Sequence, residues 1–350
     1  MCFDYTLQAG FLHCILFLIT AQSVEINIRV TDCGSFTLLS AYYHHRFRFT
    51  RKTDNGKVPN SMSSTEQFSQ DRSTYVLDAE NAAEMARLMG QGRLLTKTIG
   101  GLFPADADPS TMHTVLDIAC GPGGWVLDVA SAYSHIAATG VDISHLMIAY
   151  AQSQAQECGV DNAHFKIMNV LEPFDLPDNS FDFVNIRLIS AFMTKTTWAG
   201  LLQECVRVLR PGGTICVTDN EFPITNSLAL DKILELALRA THLSGRSYGP
   251  SWRNIATTMM LQHFLRDAGC ESIKSVGHVV DWSAGAEAHL SMYQNWMVGT
   301  KLVQPFLISV GVSTQEELDR LYQQVLVEMA ANDFCAVWYF LSAWGRKPEK

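Results

Sequence analysis

Hydrophobic and polar residues alternate in a regular way between residues 114 and 219. Short β-rich runs fall at 114–119, 136–142, 164–168, 181–187 and 214–219. Amphipathic stretches with helical spacing separate most of them, at 124–133, 144–158 and 197–209, and Ser144 is a suitable N-cap for the second. Strands separated by helices of this length form right-handed βαβ crossovers. The pattern therefore predicts an α/β fold with a mainly parallel sheet.

The flanking regions follow a different rhythm. Upstream, residues 78–96 place apolar side chains at helical spacing, and Asp78 is the predicted N-cap. Downstream, helical patterns cover 224–245, 255–268 and most of 285–332, while 272–282 and 334–344 read as strands. We expect residues 74–350 to form one domain with helical insertions at about 224–245 and 285–332.

The first sixty-one residues do not match the remainder. They hold six Lys or Arg and four Asp or Glu residues, whereas the whole chain carries a net charge of −9. An apolar run at 11–23 resembles the core of a secretion signal, but it has no preceding Lys or Arg, and Asp4 stands where a positive charge belongs. We expect residues 1–73 to be a poorly ordered or non-native extension, with Met62 as the physiological start.

Charge and cysteine content narrow the classes of function. With 26 basic and 35 acidic residues, the chain lacks the basic surface that nucleic-acid partners need. Its nine cysteines include no CxxC pair, so neither a metal site nor a disulfide framework is predicted, and reduced thiols indicate a cytoplasmic protein. No apolar run reaches the length of a membrane span. The expected partner is a small molecule.

The most informative segment is VLDIACGPGGWVLDVA, residues 115–130. A strand ends near Ala119, a glycine-rich turn follows, and a helix begins. Gly121, Gly123 and Gly124 let the backbone pass close to a ligand without an intervening Cβ. The helix then presents unpaired N–H groups to polar or anionic atoms. A nucleotide site after the first strand is the prediction.

Two acids define which nucleotide fits. Asp142 lies at the tip of the second strand, 21 residues after Gly121, where a carboxylate accepts ribose hydroxyls. The dinucleotide fingerprint needs a third glycine where Val126 stands. Asp117, inside the first strand, suits an ammonium group and repels a pyrophosphate. These residues favour a nucleoside bearing an amino acid over NAD, although an NAD-dependent oxidoreductase stays open.

Four motifs carry a family resemblance: LDIACGPGG, GVDIS, NVLEPFDLPDNSFDFVNIR and LQECVRVLRPGGTICVTD. Together they resemble the class I S-adenosylmethionine-dependent methyltransferases of the small-molecule type. The resemblance implies a Rossmann-like, seven-stranded, mostly parallel sheet whose last strand is antiparallel. It also implies S-adenosylmethionine as cofactor and helical insertions that cover the active site.

The resemblance further implies roles for individual residues. Asp117 would lie near the methionine ammonium, and Arg187 near the methionine carboxylate or the substrate. Asp142 would bind the ribose hydroxyls. The remaining cofactor residues would line the methionine moiety, the adenine or its cover: Tyr75, Ala119, Gly121, Gly123, Ile143, Met147, Asn169 and Val170. The helix around 85–89 would complete the cover. Many relatives have Asp in place of Asn169.

The acceptor side is less defined. We expect methyl transfer to an O, N or C nucleophile of a small organic molecule, by alignment and exclusion of water, with His242 or His289 as a possible general base. The fourth strand ends in NIRLIS, which lacks the Asn/Asp-Pro-Pro-aromatic motif of relatives that methylate adenine or glutamine amides. A methyltransferase-like protein that binds the nucleoside without catalysis is the other open alternative.

Overall fold

A computed structural model describes residues 75–349. The expected extension at 1–73 and the expected start at Met62 lie outside the described residues. Eight strands form one sheet: β1 Thr114–Ile118, β2 Ala137–Asp142, β3 Ala163–Ile167, β4 Phe181–Arg187, β5 Leu209–Asn220, β6 Ile224–Thr225, β7 Glu271–Asp281 and β8 Ala336–Arg346. Their order is β3-β2-β1-β4-β5-β8, and both β6 and β7 pair with β8.

The direction of the strands confirms the predicted class. Strands β1 to β5 pair in parallel, and β8 runs antiparallel to β5 and β7. Seven strands match the expected sheet, and the two-residue β6 is an addition at the start of the predicted 224–245 helix. β1 and β4 are buried along most of their length, as is typical of central parallel strands covered on both faces, and their buried stretches include the polar residues Asp117 and Asn185.

Nine α-helices pack around the sheet in the part of the chain that the structure describes. They are α1 Ala82–Ile99, α2 Gly124–Ala132, α3 His145–Cys158, α4 Trp198–Val208, α5 Leu228–Leu243, α6 Leu261–Asp267, α7 His289–Leu302, α8 Gln304–Ser309 and α9 Gln315–Met329. None of these helices is long and apolar enough to cross a membrane.

The helix boundaries test the caps and ends that the sequence predicts. Ser144 caps α3 as predicted, because its Oγ accepts a hydrogen bond from the Met147 amide. The predicted cap of α1 is wrong: Asn81 is the N-cap, and Asp78 instead accepts from the Glu80 amide in the turn before the helix. The helix expected at 255–268 is also shorter, because the Glu221 carboxylate binds the backbone amides of 255 and 256 outside any helix.

The two largest of the four hydrophobic cores in the described chain join the sheet to different sets of helices. One joins β4 and β5 to α4 and α6, with Trp198 and Leu202 near its centre. The other joins β8 to α1, α5, α7 and α9, and it is rich in aromatic side chains such as Trp282 and Trp338. This second core includes Leu95 of α1 and packs against Leu188, which directly follows β4, so it reaches the candidate site.

Candidate functional site

A cavity opens at the carboxyl ends of β1, β2 and β4, three neighbouring strands of the sheet. The end of a parallel strand is where loops converge in an open α/β sheet, so binding sites concentrate there. The lining residues are Tyr75, Ala79, Leu88, Gln91, Gly92, Leu95, Asp117, Ala119, Cys120, Pro122, Asp142, Ile143, Met147, Met168, Asn169, Val170, Leu171, Arg187, Leu188 and Phe192. Nine of the eleven residues predicted to bind the cofactor are in this set; Gly121 and Gly123 are not.

The glycine-rich turn lines the cavity through Ala119, Cys120 and Pro122, but its glycines Gly121 and Gly123 do not line it. Gly121 and Gly123 both have positive φ, at 52° and 80°, which glycine adopts without strain. A Cβ on Gly123 would lie 2.6 Å from Phe165 Cε1 and 2.7 Å from Ala151 Cβ. Gly123 therefore allows α2 and β3 to pack closely. The sequence identified the right turn, but this glycine is required by protein packing.

Asp142 is held by the backbone on both of its oxygens. Its Oδ2 accepts from the Gly121 amide at 2.8 Å and its Oδ1 from the Ser144 amide at 2.9 Å. Burial raises the pKa of this carboxyl, and hydrogen bonds from the backbone amides of Ser144, Gly121 and Ile143 act in the opposite direction. A carboxylate has about four lone-pair sites. The carboxylate therefore keeps acceptor capacity for a ligand hydroxyl beyond the backbone amides that hold it.

Asp117 and Arg187 form a second, oppositely charged pair at the cavity. Asp117 is 3% exposed and accepts from Asn185 Nδ2 at 2.7 Å, and burial raises its pKa to about 6. Arg187 donates from Nη1 to Thr96 Oγ1 at 2.9 Å, which is its one side-chain hydrogen bond within the described chain. Burial lowers the pKa of Arg187, while Asp117 and Asp128 act against that shift. The guanidinium thus has further N–H donors beside the cavity.

The residues expected around adenine lie together on another wall. Ile143 lies between β2 and α3, Met147 lies in the first turn of α3, and Asn169 and Val170 follow β3. Asn169 is partly committed to its own turn, since its Oδ1 accepts from the Leu171 amide and its Nδ2 donates to Glu172 Oε1. One amide hydrogen of Asn169 is left for a ligand.

Helix α1, expected to cover the site around 85–89, and the segment before it both line the cavity. Leu88, Gln91, Gly92 and Leu95 line the cavity, whereas Met85 and Met89 do not. The four lining positions have i, i+3, i+4, i+7 spacing, the signature of one helix face. The sequence contains this spacing, but it does not stand out as an apolar helix face because two of the four positions are Gln91 and Gly92.

Other lining residues were not predicted. Cys120, Pro122, Met168 and Leu171 adjoin predicted residues, so the motifs located them without naming them. Leu188 directly follows β4 and has a φ of 59°, an uncommon conformation for a large side chain. Phe192 contacts Tyr75 edge-on, with ring centroids 6.5 Å apart. No local sequence pattern predicts that Leu188 or Phe192 lines the cavity.

The two histidines suggested as general bases lie elsewhere. His289 Nδ1 is 3.0 Å from the Trp282 carbonyl oxygen, and its ring packs near Tyr293 and Phe334 in the aromatic core. His242 lies in the last turn of α5 and contacts Trp252 edge-on. Neither lines the cavity. Among residues 75–349, no group of three or more His, Cys, Asp or Glu side chains is arranged to hold a metal ion.

Sequence comparisons connect this geometry to known proteins. A sequence model described as "Methyltransferase domain" matches residues 115–213. A demethylmenaquinone methyltransferase of Listeria welshimeri is 33% identical over 189 residues, which cover 50% of this chain and 75% of that protein. An uncharacterized methyltransferase, YcgJ of Bacillus subtilis, is 32% identical over 123 residues, covering 35% of this chain and 47% of the relative.

Solved structures show distant similarity. The structure of YcgJ from Bacillus subtilis matches with a TM-score of 0.44 at 16% identity, covering 75% of this chain and 99% of that one. A phosphoethanolamine N-methyltransferase from Haemonchus contortus, in complex with S-adenosyl-L-methionine, matches with a TM-score of 0.42 at 19% identity, covering 75% and 52%.

Proposed function

The chain belongs to the class I S-adenosylmethionine-dependent methyltransferases and S-adenosylmethionine is its cofactor, and from this premise we propose that it transfers a methyl group to a small organic acceptor in the cavity described above. The observation that carries the proposal is the arrangement of Asp142, Asp117 and Arg187 at the ends of three adjacent strands. These groups match, in order along the sheet, a ribose, an ammonium and a carboxylate. The comparisons give no support to an oxidoreductase.

Asp142 would bind the ribose. Both of its oxygens are oriented by backbone amides, and the residue lines the cavity, where a carboxylate can accept from ribose hydroxyls. Ile143 and Met147 would cover one side of the adenine, with Val170 and the remaining Asn169 amide hydrogen at its edge. This wall is fixed before the cofactor arrives, because the protein itself satisfies the groups that orient it.

Asp117 and Arg187 would bind the amino-acid end of the cofactor. An α-amino acid carries a positive and a negative group close together, and these two side chains present the complementary pair in the same cavity. The ammonium would favour ionised Asp117, and the carboxylate would take up N–H donors of Arg187 that Thr96 leaves free. The residues present therefore fit S-adenosylmethionine.

The protein's contribution to the reaction is alignment and exclusion of water. The bound cofactor supplies a methyl group on a positively charged sulfur. Apolar side chains of α1 and of the segment after β4, including Leu95, Leu188 and Phe192, would hold the acceptor against that group and keep the site dry. Neither His242 nor His289 reaches the cavity, so the geometry favours an acceptor that arrives as a ready nucleophile over one that needs a histidine base.

Calorimetry with S-adenosylhomocysteine tests the cofactor site. Asp142→Ala should weaken binding by about 1–3 kcal/mol, a factor of about 5 to 150, because the ribose hydroxyls lose their acceptors. Asp161→Ala, at an exposed carboxylate just before β3, is the matched control and should leave affinity unchanged. Unaltered affinity in Asp142→Ala would refute the ribose assignment, and tight NADH binding in place of S-adenosylhomocysteine would refute the proposed function.

Turnover is tested by the release of S-adenosylhomocysteine with a panel of amines, thiols, phenols and enols. The panel should include demethylmenaquinone, which the name of the Listeria relative gives as its acceptor. Methyl transfer to at least one small molecule is the expected result. Cofactor binding with no turnover on any acceptor class would favour the non-catalytic nucleoside-binding alternative.

A further inference from the structure

A buried polar network lies directly behind the cover of the cavity. Tyr75 OH donates to Glu84 Oε1 at 2.7 Å, and Arg87 binds both oxygens of Glu84, each at 2.7 Å. Arg87 Nη1 also donates to Gln91 Oε1 at 3.1 Å and to Asn295 Oδ1 at 2.9 Å. Glu84 is fully buried, and Gln91 and Asn295 are nearly so.

The network has three ends. Two of them, Tyr75 and Gln91, line the cavity, and the third, Asn295, belongs to helix α7 in the C-terminal insertion. Arg87 is the junction, since a planar guanidinium can bind a carboxylate with two parallel bonds and still donate elsewhere. The side chains therefore form a continuous path between the cavity and a helix whose own residues do not line it.

Residues 75–81, which we call the strap, connect the network to the adenosine wall. The Ser144 hydroxyl donates to the Ala79 carbonyl oxygen at 3.1 Å, and the Leu146 amide donates to Glu80 Oε2 at 3.1 Å. One end of the strap is thus bound to the start of α3, next to Asp142, and the other to Glu84 through Tyr75. Tyr75 and Ala79 both form part of the cavity wall.

Building on the proposed function, we propose that Arg87 and Asn295 are positioning residues that couple helix α7 to the strap, so that the placement of α7 sets the affinity for the cofactor. Asn295 holds Arg87, Arg87 holds Glu84, and Glu84 holds Tyr75 against the cavity. A change in the position of α7, which packs against α1, is passed to the cofactor wall by this route.

The chemistry of the network supports coupling over simple packing. Well-packed apolar residues replace buried ion pairs at little or no cost, so a buried Glu–Arg pair is weak evidence for stability. Hydrogen bonds to charged groups fix geometry, because each partner must stay within a narrow range of distance and angle. On a helix face that lines a ligand cavity, such fixed geometry keeps the lining side chains in position for the ligand.

A double-mutant cycle on the full-length chain, with S-adenosylhomocysteine as the probe, tests the coupling. Asn295→Leu preserves side-chain size but removes the oxygen that Arg87 binds, and it should weaken affinity about three- to tenfold. Asn295→Asp keeps that oxygen and should restore affinity to near the wild-type value. In a Tyr75→Phe background, where the strap is already detached from Glu84, Asn295→Leu should have little additional effect.

Thr300→Val is the matched control. It removes a buried hydroxyl that donates to the Trp296 and Met297 carbonyl oxygens within the same helix, and it should leave affinity unchanged. Asn295→Ala, a smaller substitution with the same loss of oxygen, replaces Asn295→Leu if that variant does not fold. Thermal unfolding without ligand separates loss of stability from loss of binding.

The outcomes distinguish this inference from the proposed function. Equal loss of affinity in the wild-type and Tyr75→Phe backgrounds, or none in either, overturns the coupling while the cofactor site stands. Wild-type protein that does not bind S-adenosylhomocysteine overturns the proposed function, and the coupling with it. Loss in the wild-type background alone, with rescue by Asn295→Asp, supports the coupling.

Discussion

The two halves of the described chain treat buried polar groups differently. Between residues 114 and 220, every buried side-chain N or O atom has a hydrogen-bond partner. Beyond residue 240, the described chain contains buried polar atoms without one: His242 Nδ1, Thr257 Oγ1, Trp282 Nε1, Trp296 Nε1 and Gln304 Nε2. Most of the large exposed apolar side chains also lie in the second half, including Trp252, Val279 and Leu290.

This difference separates two kinds of structural task. In the first half, strand ends and turns orient Asp117 and Asp142 with the protein's own donors, so the geometry exists without a ligand. In the second half, burial of apolar surface by the insertion outweighs unpaired polar groups, each of which costs about 1–3 kcal/mol. The cofactor half thus leaves no buried polar side-chain atom unpaired, whereas the C-terminal half tolerates several.

The largest expected effect is on the turn of the first half. Gly123→Ala should lower the free energy of unfolding by about 2–4 kcal/mol, because the new Cβ meets Phe165 and Ala151 and the backbone has positive φ. Chemical denaturation measures it. Gly124→Ala, with no atom within 4 Å of the added Cβ, should be nearly neutral. Equal costs at the two positions would contradict the role given to Gly123.

The pH dependence of cofactor binding is the next effect in size. Burial raises the pKa of Asp117 to about 6, and an ammonium group binds its ionised form. Affinity for S-adenosylhomocysteine should therefore be full above pH 6 and fall below it, by up to about tenfold per pH unit as the proton competes. Calorimetry from pH 5 to 8 measures this slope.

Two variants locate the group responsible for the slope. Asp117→Asn should have weaker but nearly pH-independent binding in this range. Asp219 has a pKa also raised to about 6 by burial, yet it does not line the cavity, so Asp219→Asn should keep the wild-type slope. A slope that disappears in Asp219→Asn instead would show that Asp117 does not hold the ammonium.

The smallest effect compares two buried tryptophans directly. Trp125 is 2% exposed and its Nε1 donates to the Leu102 carbonyl oxygen, whereas Trp282 is fully buried and its Nε1 has no partner in the described chain. Trp125→Phe should therefore cost about 1–2 kcal/mol more than Trp282→Phe, because it leaves a carbonyl unpaired. Urea unfolding of both variants measures the difference. Equal losses of unfolding free energy in the two variants would contradict the difference in hydrogen bonding between the two halves.

Local patterns were sufficient for most of the fold. The β-rich runs and helical spacing between 114 and 219 predicted the strands and crossovers, since period and turn residues act over a few neighbours. The predicted cap at Asp78 was wrong because Asp78 and Asn81 offer similar side-chain oxygens, and the surrounding contacts select between them. The two-residue β6 exists only because β8 is there to pair with it.

The residues of the site also divide into those set by local sequence patterns and those set by tertiary contacts. The sequence by itself determined that a carboxylate follows β2, that another lies within β1, and that a glycine-rich turn joins β1 to α2, because these features depend on short spacings. Only the tertiary structure decided that one face of α1 covers the cavity, that Phe192 joins it, and that His242 and His289 lie elsewhere. Contacts between residues far apart in the chain depend on how helices pack, and a helical period in the sequence does not show which partner a face packs against.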